Sequence, residues 1–138
     1  MTEYEISTDP GRIDAARVHT WLSTDAYWAL GRSREKQDAA MAGSINFGAY
    51  DPDSGEQVAY ARVVTDHSTF AWLCDVYVDP AVRGRGLGVA LVAAVRDELE
   101  PCGLRRILLA TGDAHGVYEK LGFKGLEDPG KWMAYGRQ

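Results

Sequence analysis

The amino-acid sequence predicts a mixed α/β fold in which a mostly antiparallel mixed sheet carries helices on both faces. Three observations lead there. Between Ile45 and Val78, runs of apolar residues alternate with turn clusters in the manner of antiparallel hairpins. A nearly uncharged strand pattern at Phe70–Val78 then runs into a helical pattern at Leu87–Leu99 and another apolar run at Ile107–Ala110, the succession that joins parallel neighbours. Finally, 138 residues suffice for one hydrophobic core and not for two, so a single domain over residues 1–138 is expected.

The elements follow in order. Tyr4–Ser7 is a short strand closed by Asp9-Pro10-Gly11. From about Ile13 the apolar residues Ile13, Ala16, Val18, Trp21 and Leu22 suit one helical face, with a break or a new N-cap at Ser23-Thr24-Asp25. Ser33 starts a second helix that runs through Ala39, Ala40 and Ala42 until Gly43 offers an exit with positive φ. Ile45, Phe47 and Ala49 then alternate with Ser44, Asn46 and Gly48, and the turn Asp51–Gly55 leads to a strand over Val58–Val64. After Asp66-His67-Ser68, the segment Phe70–Val78 reads as a central strand whose single charge is Asp75. Asp79-Pro80 ends it. Leu87, Ala90, Leu91, Ala94, Val95 and Leu99 recur at helical spacing until Pro101-Cys102-Gly103. Ile107–Ala110 is a compact strand, Ala114–Leu121 a short helix ended by Gly122, and Lys131–Tyr135 a final strand.

Composition removes several classes of function. A formal net charge of -5 argues against a nucleic-acid surface, which needs clustered Lys and Arg to displace counterions. Cationic or neutral partners fit better. The two cysteines, Cys74 and Cys102, have neither disulfide-framework nor metal-ligand spacing, and the three histidines have no partner at i, i+4. No apolar stretch approaches the ~20 residues that span a bilayer, and Met-Thr-Glu-Tyr-Glu does not start like a targeting segment. A cytoplasmic protein without metal or membrane association is expected.

The segment Arg83-Gly84-Arg85-Gly86-Leu87-Gly88 joins the central strand to the long helix. Glycines let a backbone turn sharply and approach a ligand, and the unpaired N–H groups of the first helical turn point outward as donors. With nearby arginines they suit an anion, and a diphosphate better than a single carboxylate. A glycine-rich turn with solvated arginines is the plainer alternative. A Walker loop and a dinucleotide fingerprint both fail on spacing, the latter because Val89 or Leu91 stands where a third glycine is needed.

The stretch from Asp75 to Gly88 resembles the strand, loop and helix of the GNAT superfamily of acetyltransferases, whose core pattern Gln/Arg-x-x-Gly-x-Gly/Ala is met by Arg83, Gly86 and Gly88. Ala114 and Tyr118-Glu119-Lys120-Leu121-Gly122-Phe123 are similar to the last helix of that family and the turn after it, so the resemblance spans roughly Val58 to Phe123. It implies acetyl-CoA as cofactor and a GNAT-like fold. On it, Val76, Tyr77 and Val78 pair with the pantetheine arm. Arg83 and the backbone of Gly84, Arg85, Gly86, Leu87, Gly88 and Val89 hold the pyrophosphate, with Thr111 and Ala114 completing the cofactor site. Thr111 stands where relatives often have an asparagine, and Cys74 where many carry a glutamate.

Tyr118 matches the family's general acid. Asp75 is the candidate on the amine side: a base acting through water, a ligand for a cationic amine, or a structural buried acid. Substrate contacts are expected from Trp28, Arg62 and Asp75, within a wider pool of Trp21, Tyr27, Arg32, Phe47 and Trp72. The implied reaction is acetylation of a primary amine on a small molecule or a protein, by a monomer or homodimer. The alternative is a catalytically inactive acyl-CoA-binding regulatory module.

Overall fold

A computed structural model of the chain describes residues 3–136. Five strands form one sheet in chain order, β1 (Glu5–Ser7), β2 (Ile45–Tyr50), β3 (Gln57–Thr65), β4 (Phe70–Val78) and β5 (Arg106–Leu108). All neighbours are antiparallel except β4 and β5, which are parallel and joined by helix α3 (Leu87–Leu99). Helices α1 (Ala15–Asp25) and α2 (Arg34–Ala42) precede β2, and α4 (His115–Glu119) follows β5.

The turns explain the order. Asp51 Oδ1 accepts from the amides of Asp53 and Ser54, and Gly55 supplies a φ of 77°, which brings β3 back along β2. Asp66 Oδ1 does the same for Ser68, Thr69 and Phe70, turning β3 into β4. Asp14 and Ser33 accept from the amides of Arg17 and Lys36 and so start α1 and α2. Replacing Ser33 by Ala should cost about 1 kcal/mol, read as a lower urea midpoint at unchanged m value.

Each face of the sheet has its own core. On one, α3 lays Leu91, Val92, Val95 and Leu99 on Phe47, Val63, Leu73 and the fully buried alanines Ala49, Ala59, Ala61 and Ala71. Those small residues leave room for the helix to lie close to the strands. On the other, Val18 and Leu22 of α1 pack on Tyr60 and Tyr77.

The structure corrects the sequence-based expectations at four places. Ser23-Thr24-Asp25 lies in the last turn of α1, where the Thr24 hydroxyl donates to the Thr20 carbonyl within the helix and so does not cap a new one. Gly43 ends α2 at a φ of -96°, its amide bonding the Ala40 and Met41 carbonyls, so no left-handed exit is used. Ile107–Ala110 is replaced by Arg106–Leu108, where the pairing with β4 holds. Lys131–Tyr135 is not a strand; Pro129–Lys131 is a 3-10 turn, and the residues after it pair with no strand among the described residues.

Candidate active site

The site begins with a fault in β4. Tyr60 pairs with Tyr77 and Arg62 with Cys74, so Asp75 and Val76 together face the single residue Ala61. This is a β-bulge, and Asp75 takes a φ of 53° to make it. The extra residue reverses the facing of the strand. Leu73 belongs to the core under α3, whereas Tyr77, four residues on, faces α1.

β5 pairs with β4 only over Phe70–Trp72, opposite Arg106–Leu108. Beyond that point the side of β4 that would face β5 carries no strand among the described residues, although β3 still pairs with Tyr77 and Val78 on the opposite side. On that side Val76–Val78 pair with no strand among the described residues, and the Val78 carbonyl accepts from Arg83 Nε.

At the end of that open edge lies the start of α3. Gly84 and Gly86 take left-handed φ values of 81° and 77°. Unlike α1 and α2, α3 has no side-chain cap, so the first amides of a 13-residue helix remain without an internal acceptor. Such a terminus favours an anion by about 0.3–1 kcal/mol from its dipole, before direct hydrogen bonds are counted. The Leu87 side chain is buried in the core, while Gly88 leaves its side of the turn bare. The flanking arginines turn away: Arg83 donates to the Val78 carbonyl at 2.9 Å and approaches Asp25, and Arg85 donates to the Tyr4 hydroxyl at 2.9 Å.

Asp75 is buried, with its side chain 1% exposed. Its Oδ1 accepts from Trp28 Nε1 at 2.8 Å, and its Oδ2 from Arg32 Nη1 at 2.8 Å and Arg62 Nε at 2.9 Å. Burial pushes its pKa up, but the two guanidinium hydrogen bonds outweigh it and hold the carboxyl below the usual carboxylate range. A carboxylate so engaged is a poor proton acceptor. Around it, Arg32 also donates to Gln37 and Arg62 to Ser44. The three residues expected on the substrate side, Trp28, Arg62 and Asp75, thus form one network, and Arg32 joins them. Gln37, wholly buried, gave no signal in the sequence because α2 reads as a polar helix.

The remaining candidates divide. Phe47 is core, and Trp21 stacks on Tyr77 at 5.4 Å. Tyr77 donates to Asp25, and burial together with that bond pushes its phenol up to about 12. Burial pushes the Cys74 thiol up to about 11, which makes it a packing residue and a weak nucleophile. Thr111 sits in the turn before α4, its Oγ1 accepting from the Ala114 amide at 3.0 Å. Tyr118, on α4, lies edge-on to Phe123, and its hydroxyl has no hydrogen-bond partner among the described residues. Burial, with Tyr27 and Asp113 nearby, raises its pKa, so the phenol keeps its proton. Tyr27 bridges from the α1–α2 connection, its hydroxyl accepting from the Gly112 amide at 2.7 Å.

A strand edge unpaired beyond Trp72 thus leads to an uncapped helix start, and a proton-bearing phenol lies on the following helix. The chain belongs to the acetyltransferase (GNAT) family, whose pattern matches residues 15–123. A Gibberella zeae protein, an acetyltransferase by name only, is 31% identical over 141 residues that cover 88% of this chain and 80% of that protein. A Xanthomonas campestris structure named for the same family is 40% identical with a TM-score of 0.92, over 99% of this chain and 95% of that one. A Mycobacterium tuberculosis protein crystallised with CoA shares the fold, with a TM-score of 0.74 at 22% identity over 89% of this chain and 73% of that one. The family's cofactor is acetyl-CoA. Among the described residues no helix is long and apolar enough to cross a membrane.

Proposed function

We propose that this chain is an acetyl-CoA-dependent N-acetyltransferase acting on a primary amine of a small molecule or a protein. The observation that carries the reading is the continuity of the freed β4 edge with the uncapped α3 terminus. The donor set fits the cofactor: backbone groups of Val76–Val78 suit an extended pantetheine, and the amides from Gly84 to Val89 suit a diphosphate. Thr111 and Ala114, joined by a hydrogen bond just before α4, are assigned to the cofactor site by the family resemblance. Arg83 and Arg85 reach the diphosphate by exchanging Val78 and Tyr4 for phosphate oxygens, a charge-assisted replacement.

When bound, acetyl-CoA supplies an activated acyl carbon and a thiolate leaving group. Tyr118 holds the proton for that sulfur, and its raised pKa keeps the proton in place until transfer. Asp75 acts as a positioning residue, fixing Trp28, Arg32 and Arg62. One carboxylate against two guanidiniums leaves a net positive charge, which favours the neutral form of an entering amine.

Thiol release from acetyl-CoA across a panel of amines tests the reading. Turnover with at least one amine supports it, and binding without transfer across a broad panel would favour the regulatory module instead. Gly86→Val should weaken acetyl-CoA binding by roughly tenfold or more in calorimetry, because a β-branched residue resists the left-handed φ of 77° that shapes the loop. Unaltered affinity would detach this turn from the cofactor.

A further inference from the structure

The network around Asp75 holds more positive charge and more donors than it uses. Arg32 and Arg62 share the one carboxylate, and no second acidic side chain pairs with either among the described residues. Arg32 donates through Nη1 to both Asp75 and Gln37, and Arg62 through Nε to Asp75 and through Nη1 to Ser44. Nε and Nη2 of Arg32, and Nη2 of Arg62, have no acceptor among the described residues.

Gln37 adds a further donor. It is wholly buried, and its Oε1 is the end that faces Arg32, because a guanidinium only donates. The other end of the amide, Nε2, is buried with no partner among the described residues. Leaving such a group unmatched costs about 1–3 kcal/mol. A single anion among these groups supplies acceptors and cancels the surplus charge together.

The cluster is closed on its acid and open on its arginines. The Asp75 side chain is 1% exposed, against 17% for Arg32 and 14% for Arg62. Beside them Trp28, 43% exposed, donates its indole N–H to Asp75 and sets its ring edge-on to Tyr27 at 5.0 Å. Tyr27 in turn accepts from the Gly112 amide and lies near enough to Tyr118 to act on its titration. A run of contacts thus joins the surplus charge to the phenol that would protonate the leaving sulfur.

The size of the surplus selects the anion. One excess positive charge matches one negative charge, so a planar carboxylate suits the free guanidinium N–H groups better than a phosphate dianion. The same field keeps a nearby amine neutral, the form that attacks an acyl carbon. Both effects serve a molecule that carries the two groups at once.

We propose that the acceptor is a small amine that also bears a carboxylate, and that Arg32 and Arg62 bind this carboxylate with the N–H groups Asp75 leaves free. The assignment rests on the transferase reading above. In that reaction the amine nitrogen bonds to the acyl carbon as the carbon–sulfur bond breaks. The nitrogen gives one proton to water, and the sulfur takes one from Tyr118, which water restores.

Two readouts test the site. Thiol release from acetyl-CoA should show kcat/KM at least about tenfold higher for one or more of glycine, β-alanine, γ-aminobutyrate and lysine than for the matching amide. The amides keep the amine and the size and lose the charge. In calorimetry with CoA present, the N-acetyl derivative of the preferred acid should bind at least about tenfold more tightly than its amide. Arg32→Gln should raise KM for the acid by roughly 10- to 100-fold with kcat little changed, and Arg32→Lys should recover part of the loss. Gln37→Glu keeps the shape and the acceptor toward Arg32 but cancels the surplus charge, so a variant folded by circular dichroism should lose the preference for acids. Unchanged binding of the acid in Gln37→Glu would mean that the arginines serve the fold alone. The comparison of acid with amide in the parent protein stands even if a variant does not fold. Equal turnover of acids and amides, or of a lysine side chain within a peptide, would overturn the carboxylate site and leave the transferase reading in place. Equal or absent binding of the N-acetyl acids and their amides would also overturn it. Selective binding of an N-acetyl acid without transfer to any amine would support the site and remove the transferase reading instead.

Discussion

Tyr118→Phe should lower kcat by about 10²- to 10⁴-fold, the usual worth of a positioned proton donor, while acetyl-CoA affinity changes little. The phenol has no hydrogen-bond partner among the described residues, so its removal leaves no buried group orphaned, and Phe retains the edge-on packing against Phe123. The loss should therefore fall on kcat. Burial raises the Tyr118 pKa above its ordinary value of 10, so the acid form prevails throughout the neutral range. Any alkaline fall in kcat that belongs to this group should lie above pH 10 in the parent protein and be absent from the Phe variant. A Phe variant with parental turnover would remove Tyr118 from the chemistry.

Asp75→Asn should destabilise the fold by about 3–5 kcal/mol, the cost of removing one partner from a buried charge cluster. Asn tolerates the left-handed backbone nearly as well as Asp, so the substitution isolates the charge from the bulge. Asp75→Gly separates the two contributions further: it relaxes a φ of 53° yet still abandons Arg32 and Arg62. If backbone strain dominated, the Gly variant would be the more stable of the two. The pH dependence follows from a folded-state pKa held below the unfolded one. The stabilisation is fully present above about pH 4, the unfolded value, and is lost as pH falls through the lower folded value. Urea denaturation of parent and Asn variant should thus differ most near neutrality and converge in strong acid.

How much of this was legible in the sequence depends on the range of the interactions. The loop from Arg83 to Gly88 and the helix after it were readable because glycine placement and apolar spacing act within a turn or two. The bulge was not. A positive φ at Asp75 comes from how β3 and β4 pair, and only the oddity of a carboxylate in an apolar strand pointed to it. Its partners Arg32 and Trp28 stand 43 and 47 residues away, beyond any local pattern. The directions of Arg83 and Arg85 were hidden for the same reason, since Asp25 and Tyr4 are remote in sequence. At Lys131–Tyr135 the local pattern favours a strand, but strands need a neighbour, and none is present among the described residues.

The proposed cofactor site puts the diphosphate of acetyl-CoA at the uncapped start of α3. Calorimetric titration with acetyl-CoA and with acetyl-pantetheine, which lacks the nucleotide and the diphosphate, tests it most directly. Several charge-assisted hydrogen bonds at that terminus predict binding stronger by on the order of 100-fold or more for acetyl-CoA, with most of the gain abolished by Gly86→Val. Equal affinity for the two ligands, or a preference for acetyl-CoA that Gly86→Val leaves intact, would contradict the account.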